Sequence, residues 1–117
     1  MAHITTHVLD TAKGLPASGV VVTLQRLKGK DRVFVATETT NADGRSPAPL
    51  LAGDTIPIGQ YELTFHMGDY WRAQGQTLGS PAFLDDIVLR VGIADPHGRY
   101  HVPLLVSPYG YSTYRGS

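Results

Sequence analysis

The sequence predicts an all-β fold, a sandwich or barrel. Three observations carry that prediction. The 13 glycines and 8 prolines are spread along all 117 residues rather than clustered. They separate short stretches rich in β-branched and aromatic residues, the pattern of many strands joined by turns. Several of those stretches alternate apolar and polar residues with the period of two that a half-buried strand requires.

In order, Ile4 to Leu9 reads as the first strand, with Ile4, Thr6 and Val8 on one face and Thr5, His7 and Leu9 on the other. Lys13 to Gly19 is a loop, and Val20 to Leu27 a second strand whose apolar start predicts burial on both faces. The polar turn Lys28–Asp31 leads to a third strand, Val33 to Thr40, facing the second. Asn41-Ala-Asp-Gly44 is a turn, because Asp-Gly supplies a positive φ at low cost. Residues 46–59 form a Pro/Gly-rich connection with a short strand near Pro49–Leu51. Gln60 to Met67 alternates again, with Tyr61, Leu63 and Phe65 on one face. Gly68 to Gly75 reads as the single helix, with Asp69 as N-cap and Gly75 just past its end. Ile87 to Ile93, Tyr100 to Val106 and Tyr109 to Arg115 complete the strands. Pro103 inside its strand predicts an edge, or a position whose missing N–H faces no partner. No repeat or linker interrupts this order, so residues 1–117 are expected to form one domain.

Composition narrows the function classes. Hydrophobic residues make up 42% and charged residues 17%, which fits a folded domain rather than a disordered chain. Ten basic and ten acidic residues give no net charge, so neither nucleic acid nor an anionic membrane is an expected partner. The apolar runs are too short for a membrane-spanning helix. Cysteine is absent, which excludes thiolate chemistry and disulfides and suits a reducing compartment. The start Met1-Ala-His-Ile-Thr-Thr lacks the pattern of a signal peptide, so a cytoplasmic location is expected. The periplasm is the alternative if such a peptide has been removed.

Histidine is the side chain best suited to proton transfer near neutrality. Two of the five stand within strands, away from their ends: His7, and His101, which alternates against Val102, Leu104 and Val106. Taken singly, His7 reads better as a solvent-facing histidine on a half-exposed strand, and His101 reads as well as a sheet-surface histidine. His3, near the N-terminus, His66, at a strand end, and His97, in a turn, are expected to be solvated. Arg45 follows the Asn-Ala-Asp-Gly turn; its planar fork suits an anionic ring, although most arginines in such places are simply exposed. No short ligand pair of the HExxH kind is present, and His97 and His101, though four apart, are kept off any helix by a Pro-Gly turn, so neither a metal nor another cofactor is expected. The sequence closes on Tyr109-Gly-Tyr-Ser-Thr-Tyr-Arg-Gly-Ser117, richer in aromatics than disordered tails are.

That closing run, with Arg99-Tyr-His-Val-Pro-Leu-Leu-Val-Ser-Pro108 before it, resembles the C-terminal signature of the transthyretin-related 5-hydroxyisourate hydrolases. Thr6-His-Val-Leu-Asp10, Gly14-Leu-Pro-Ala17 and Thr40-Asn-Ala-Asp-Gly-Arg45 extend the resemblance over essentially the whole chain. It implies a transthyretin (prealbumin)-like sandwich of two four-stranded sheets, with one short helix between the fifth and sixth strands. It also implies a homotetramer, a dimer of dimers, with sites at the dimer–dimer interface. His7 and His101 match the two family histidines and Arg45 the substrate-binding arginine, while Tyr114, Arg115, Gly116 and Ser117 match the terminal tetrapeptide. The implied catalytic set is His7, Arg45, His101 and Ser117; the implied substrate-binding set is His7, Arg45, Tyr114, Arg115 and Gly116. The chain departs from the pattern at Arg99, where many members carry His-Tyr-His, so an extra positive charge stands at the rim. The implied activity is hydrolysis of 5-hydroxyisourate, a small-molecule substrate, to 2-oxo-4-hydroxy-4-carboxy-5-ureidoimidazoline. The alternative is a carrier that binds in the same channel without chemistry. An immunoglobulin-like interaction module would leave the tail without a role.

Overall fold

The computed structural model describes residues 1–116. Nine strands and one helix follow one another as β1 (Ala2–Asp10), β2 (Leu15–Pro16), β3 (Val21–Lys28), β4 (Asp31–Thr39), β5 (Leu51–Gly53), β6 (Gly59–His66), α1 (Met67–Ala73), β7 (Asp86–Ile93), β8 (Arg99–Ser107) and β9 (Gly110–Thr113). They make two sheets. One runs β2-β1-β8-β9, with β5 also on β1; the other runs β4-β3-β6-β7. The expected sandwich is therefore present, with one sheet enlarged to five strands by the two-residue β2, which lies in the stretch expected to be a loop.

Strict alternation builds the core. Ala2, Ile4, Thr6, Val8 and Asp10 of β1 point inward, as do Tyr100, Val102, Leu104 and Val106 of β8. Against them the second sheet sets Val22 and Leu24 of β3 and Tyr61, Leu63 and Phe65 of β6. Each such aliphatic or aromatic side chain, taken from water, contributes roughly 1.5–3 kcal/mol before the entropy of ordering is counted. The start of β3 is not buried on both faces as expected: Val20 and Val22 are buried but Val21 between them is exposed, because this sheet presents its outer face to solvent. A bulge between Leu24 and Gln25 then shifts the register against β4.

Among the buried polar groups of the described residues the Trp71 indole N–H has no partner, whereas the buried side chains of Thr6 and Asp10 are matched. The Thr6 hydroxyl donates to the Val102 carbonyl at 2.7 Å. The buried Asp10 carboxylate accepts the N–H groups of Ala12 and Lys13 and the Tyr70 hydroxyl, the last at 2.9 Å. That contact ties α1 to the end of β1, while burial and Asp10 together push the Tyr70 phenol up to about 12. On the outer face of the second sheet, Glu62 is clamped between Arg32 at 2.6 Å and Arg90 at 2.9 Å.

The helix begins one residue earlier than expected. His66, not Asp69, holds the N-cap position and makes no side-chain cap; Asp69 lies in the first turn, where its charge favours the helix dipole. Its end is as expected. Gly75, at φ 80°, donates to the Arg72 carbonyl and Gln76 to that of Trp71, the paired bonds of a Schellman stop.

Candidate active site

The outer face of the first sheet collects the polar residues that alternation drives out of the core. β1 and β8 pair in parallel, and the register sets His3 beside Arg99, Thr5 beside His101 and His7 beside Pro103. His7 and His101 therefore lie diagonally across two neighbouring strands, their ring centroids 6.5 Å apart and tilted by 34°. At that distance the rings do not bond each other. Two groups so placed can address different atoms of one small molecule.

Arg45 reaches this face because its turn docks onto β1. Within the turn, the Asn41 side-chain oxygen accepts the N–H groups of Asp43 and Arg45, and the Asn41 carbonyl accepts that of Gly44. The turn then binds outward. Val8 N–H donates to the Gly44 carbonyl at 2.8 Å, and Arg45 forms a bridge with His7. Gly44 is required twice over: its φ is 76°, and a Cβ there would stand 2.4 Å from the Val8 carbonyl oxygen.

The tail divides. Gly116 N–H donates to the His101 carbonyl at 2.8 Å, and a Cβ on Gly116 would stand 2.6 Å from His101 Cδ2, so this glycine lies flat against the imidazole. Tyr114 and Arg115 turn the other way. They line a cavity of about 370 Å³ beside Val91, Gly92, Tyr100 and Val102, at the edge between the two sheets. The Arg115 guanidinium lies 4.1 Å over the Tyr100 ring and donates to the Arg99 carbonyl. Within the described residues neither side chain joins the histidines, whereas Gly116 does. Ser117 lies outside the described residues.

Pro103 explains this division. β8 is an interior strand, so the edge half of the sequence expectation fails. The other half stands. β9 ends with Thr113 opposite Leu104, and the chain rejoins β8 only where Gly116 bridges to His101. Pro103 occupies the gap, offering no N–H to pair; its carbonyl takes the Thr113 hydroxyl at 2.7 Å instead.

His101 is held below its usual pKa, first by burial, then by the Arg45 guanidinium and the neighbouring imidazoles of His7 and His3. It is thus neutral near neutrality, with Nδ1 2.8 Å from the Thr5 hydroxyl. His3, expected to be solvated, is half-buried on the same face, and its N–H donates to the Gly98 carbonyl. The period of two that places His7 would have placed His3 too, had the strand been started at Ala2. His66 belongs elsewhere: it contacts Asp86 at 3.0 Å and Thr23 at 3.4 Å on the second sheet. Among the described residues no three histidine or carboxylate side chains gather closely enough to hold a metal ion.

The sequence profile of the HIUase/Transthyretin family matches residues 4–116. The 5-hydroxyisourate hydrolase 2 of Rhizobium meliloti is 57% identical over 114 residues, covering 97% of this chain and 95% of that protein. Among solved structures, 5-hydroxyisourate hydrolase from Klebsiella pneumoniae superimposes with a TM-score of 0.82 at 35% identity, covering both chains completely. An (S)-allantoin synthase superimposes with a TM-score of 0.91 at 45% identity; this chain spans 99% of its own length but only 44% of that one.

Proposed function

The chain belongs to the HIUase/Transthyretin family, and from that premise we propose that it hydrolyses 5-hydroxyisourate to 2-oxo-4-hydroxy-4-carboxy-5-ureidoimidazoline. The observation that carries this reading is the convergence of His7, Arg45 and His101 on one sheet face, with Gly116 against the His101 ring. A non-catalytic carrier needs no such grouping of proton-transfer side chains around a fixed cation.

In the proposed reaction, water adds to the ring carbonyl and gives up a proton to His7 as general base. Arg45 stabilises the negative charge that develops on the carbonyl oxygen. The ring C–N bond then breaks, and the leaving nitrogen takes a proton, with His101 orienting or donating to it. Ser117 assists at His7, and Tyr114 and Arg115 bound the substrate from the tail. Since those two side chains point to the sheet edge in the single chain, their part in binding requires a neighbouring subunit or a rearranged tail. We place the enzyme in a homotetramer, a dimer of dimers with the histidine face at the dimer–dimer interface, and in the cytoplasm. Light scattering tests the first statement.

The function is tested by generating 5-hydroxyisourate in situ from urate with urate oxidase and following its ultraviolet absorbance. Faster decay with this protein, lost in His7→Ala, is the expected result. Decay at the spontaneous rate with a folded, tetrameric protein would refute the hydrolase and leave the carrier.

A further inference from the structure

We propose that Thr5 is a positioning residue that holds His101 as the tautomer protonated at Nε2, making His101 the hydrogen-bond donor to substrate and leaving His7 as the base. The substrate half of this statement rests on the hydrolase reading above. The tautomer half does not.

The geometry begins with the strand register. Thr5 and His101 are direct partners across the parallel β1–β8 ladder, and Thr5 Oγ1 lies 2.8 Å from His101 Nδ1. A neutral imidazole has one donor and one acceptor nitrogen, so the proton on one is decided by what the other meets. A hydroxyl carries a single proton, and elsewhere in this sheet threonines give it to a carbonyl: Thr6 to Val102, Thr11 to Val106 and Thr113 to Pro103. Thr5 has no such carbonyl among the described contacts; its one partner is Nδ1. Donation from Thr5 to Nδ1 uses that proton and requires Nδ1 to be bare. The proton of the ring then sits on Nε2.

Two further features hold the ring in this setting. The third form, imidazolium with both nitrogens donating, is disfavoured by burial and by the nearby fixed charge of Arg45. A ring flip would exchange Nδ1 with Cδ2, forfeiting the Thr5 bond and pressing Nδ1 onto Gly116, which packs against Cδ2. Thr5 on one side and Gly116 on the other leave the Nε2 edge as the part of the ring available to a ligand.

The test uses the full-length protein labelled with nitrogen-15 at histidine, with His101 signals assigned from His101→Asn. Nitrogen NMR above the histidine titration is expected to show Nε2 as the protonated nitrogen and Nδ1 as the bare one. Thr5→Val should mix the two tautomers and lower kcat about five- to tenfold, the size of one neutral hydrogen bond, with KM little changed. Thr5→Ser should restore both. A proton on Nδ1 in the parent protein overturns the proposal, and so does a Thr5→Val enzyme of parental kcat. If Thr5→Val fails to fold, the parent spectrum and Thr5→Ser still decide. A protein with the expected tautomer but no hydrolysis refutes the function and not the role of Thr5 in setting the proton.

Discussion

Gly44→Ala should damage both stability and activity, and the structure sets the size. At φ 76° an alanine costs roughly 1–2 kcal/mol relative to a right-handed conformation. The added Cβ would also stand 2.4 Å from the Val8 carbonyl oxygen, a backbone atom in the middle of β1 that cannot step aside. The turn must lift off instead. It then surrenders the bond from Val8 N–H, whose residue is fully buried, and an unpaired buried donor costs roughly 1–3 kcal/mol. The sum is roughly 2–5 kcal/mol. Gly29→Ala is the control: its φ is 59° and nothing lies within 4 Å of a Cβ there, so only the conformational cost of roughly 1–2 kcal/mol applies. Urea titration at one fixed protein concentration, followed by Trp71 fluorescence, measures both. The hydroxyisourate assay on the folded proteins should show loss for Gly44→Ala alone, because Arg45 moves with the turn. Equal destabilisation by the two substitutions, or parental activity in Gly44→Ala, would refute the claim that docking of this turn places Arg45.

Gly116→Ala should leave the unfolding midpoint near the parent value while lowering turnover, since the new methyl must displace either the tail or the His101 ring; initial rates beside a thermal scan check this. Tyr70→Phe should cost roughly 1–3 kcal/mol in urea by removing the hydroxyl donor from the buried Asp10 carboxylate. Glu62 is held at about 2 by its hydrogen bonds to Arg32 and Arg90, well below the ordinary 4.5. Its folded pKa is lowered, so its stabilisation is fully present above 4.5 and is lost as pH falls toward 2; Glu62→Gln should flatten the urea midpoint across that window.

Alternation made much of the candidate site readable from sequence. Ile4, Thr6 and Val8 declare the inner face of β1, and Val102, Leu104 and Val106 that of β8, so His7 and His101 had to point outward. Nothing local says that these two strands are neighbours, because Thr5 and His101 are 96 residues apart. The family signature supplied that adjacency; the residues alone did not. Arg45 was legible as a turn residue, but its docking depends on Gly44 meeting Val8, a tertiary contact. The tail divides in two at Pro103, whose unpaired position is legible in the sequence, but the return of Gly116 to His101 beyond it is a tertiary contact that sequence spacing does not reveal. His3 follows the same periodicity as His7, but its closeness to the N-terminus argues for solvation, and only the start of β1 at Ala2 shows that it lies on the same face. The N-cap failed for a related reason: β6 runs directly into α1 at His66, leaving no connecting residue to cap the helix.

The parallel pairing of β1 with β8 also bears on how the molecule comes into being. Every other strand pair is antiparallel, whereas this one joins the first ten residues to a segment beyond residue 98. Contacts of such separation close a long loop before they return any stabilisation, and folds rich in them form slowly. During synthesis His7 emerges early and must wait for nearly the whole chain before it meets His101 and Gly116. The site is thus among the last features to assemble. An incomplete chain that stops short of β8 carries one histidine of the pair and an uncovered edge on β1, the kind of edge that other chains can extend into aggregates.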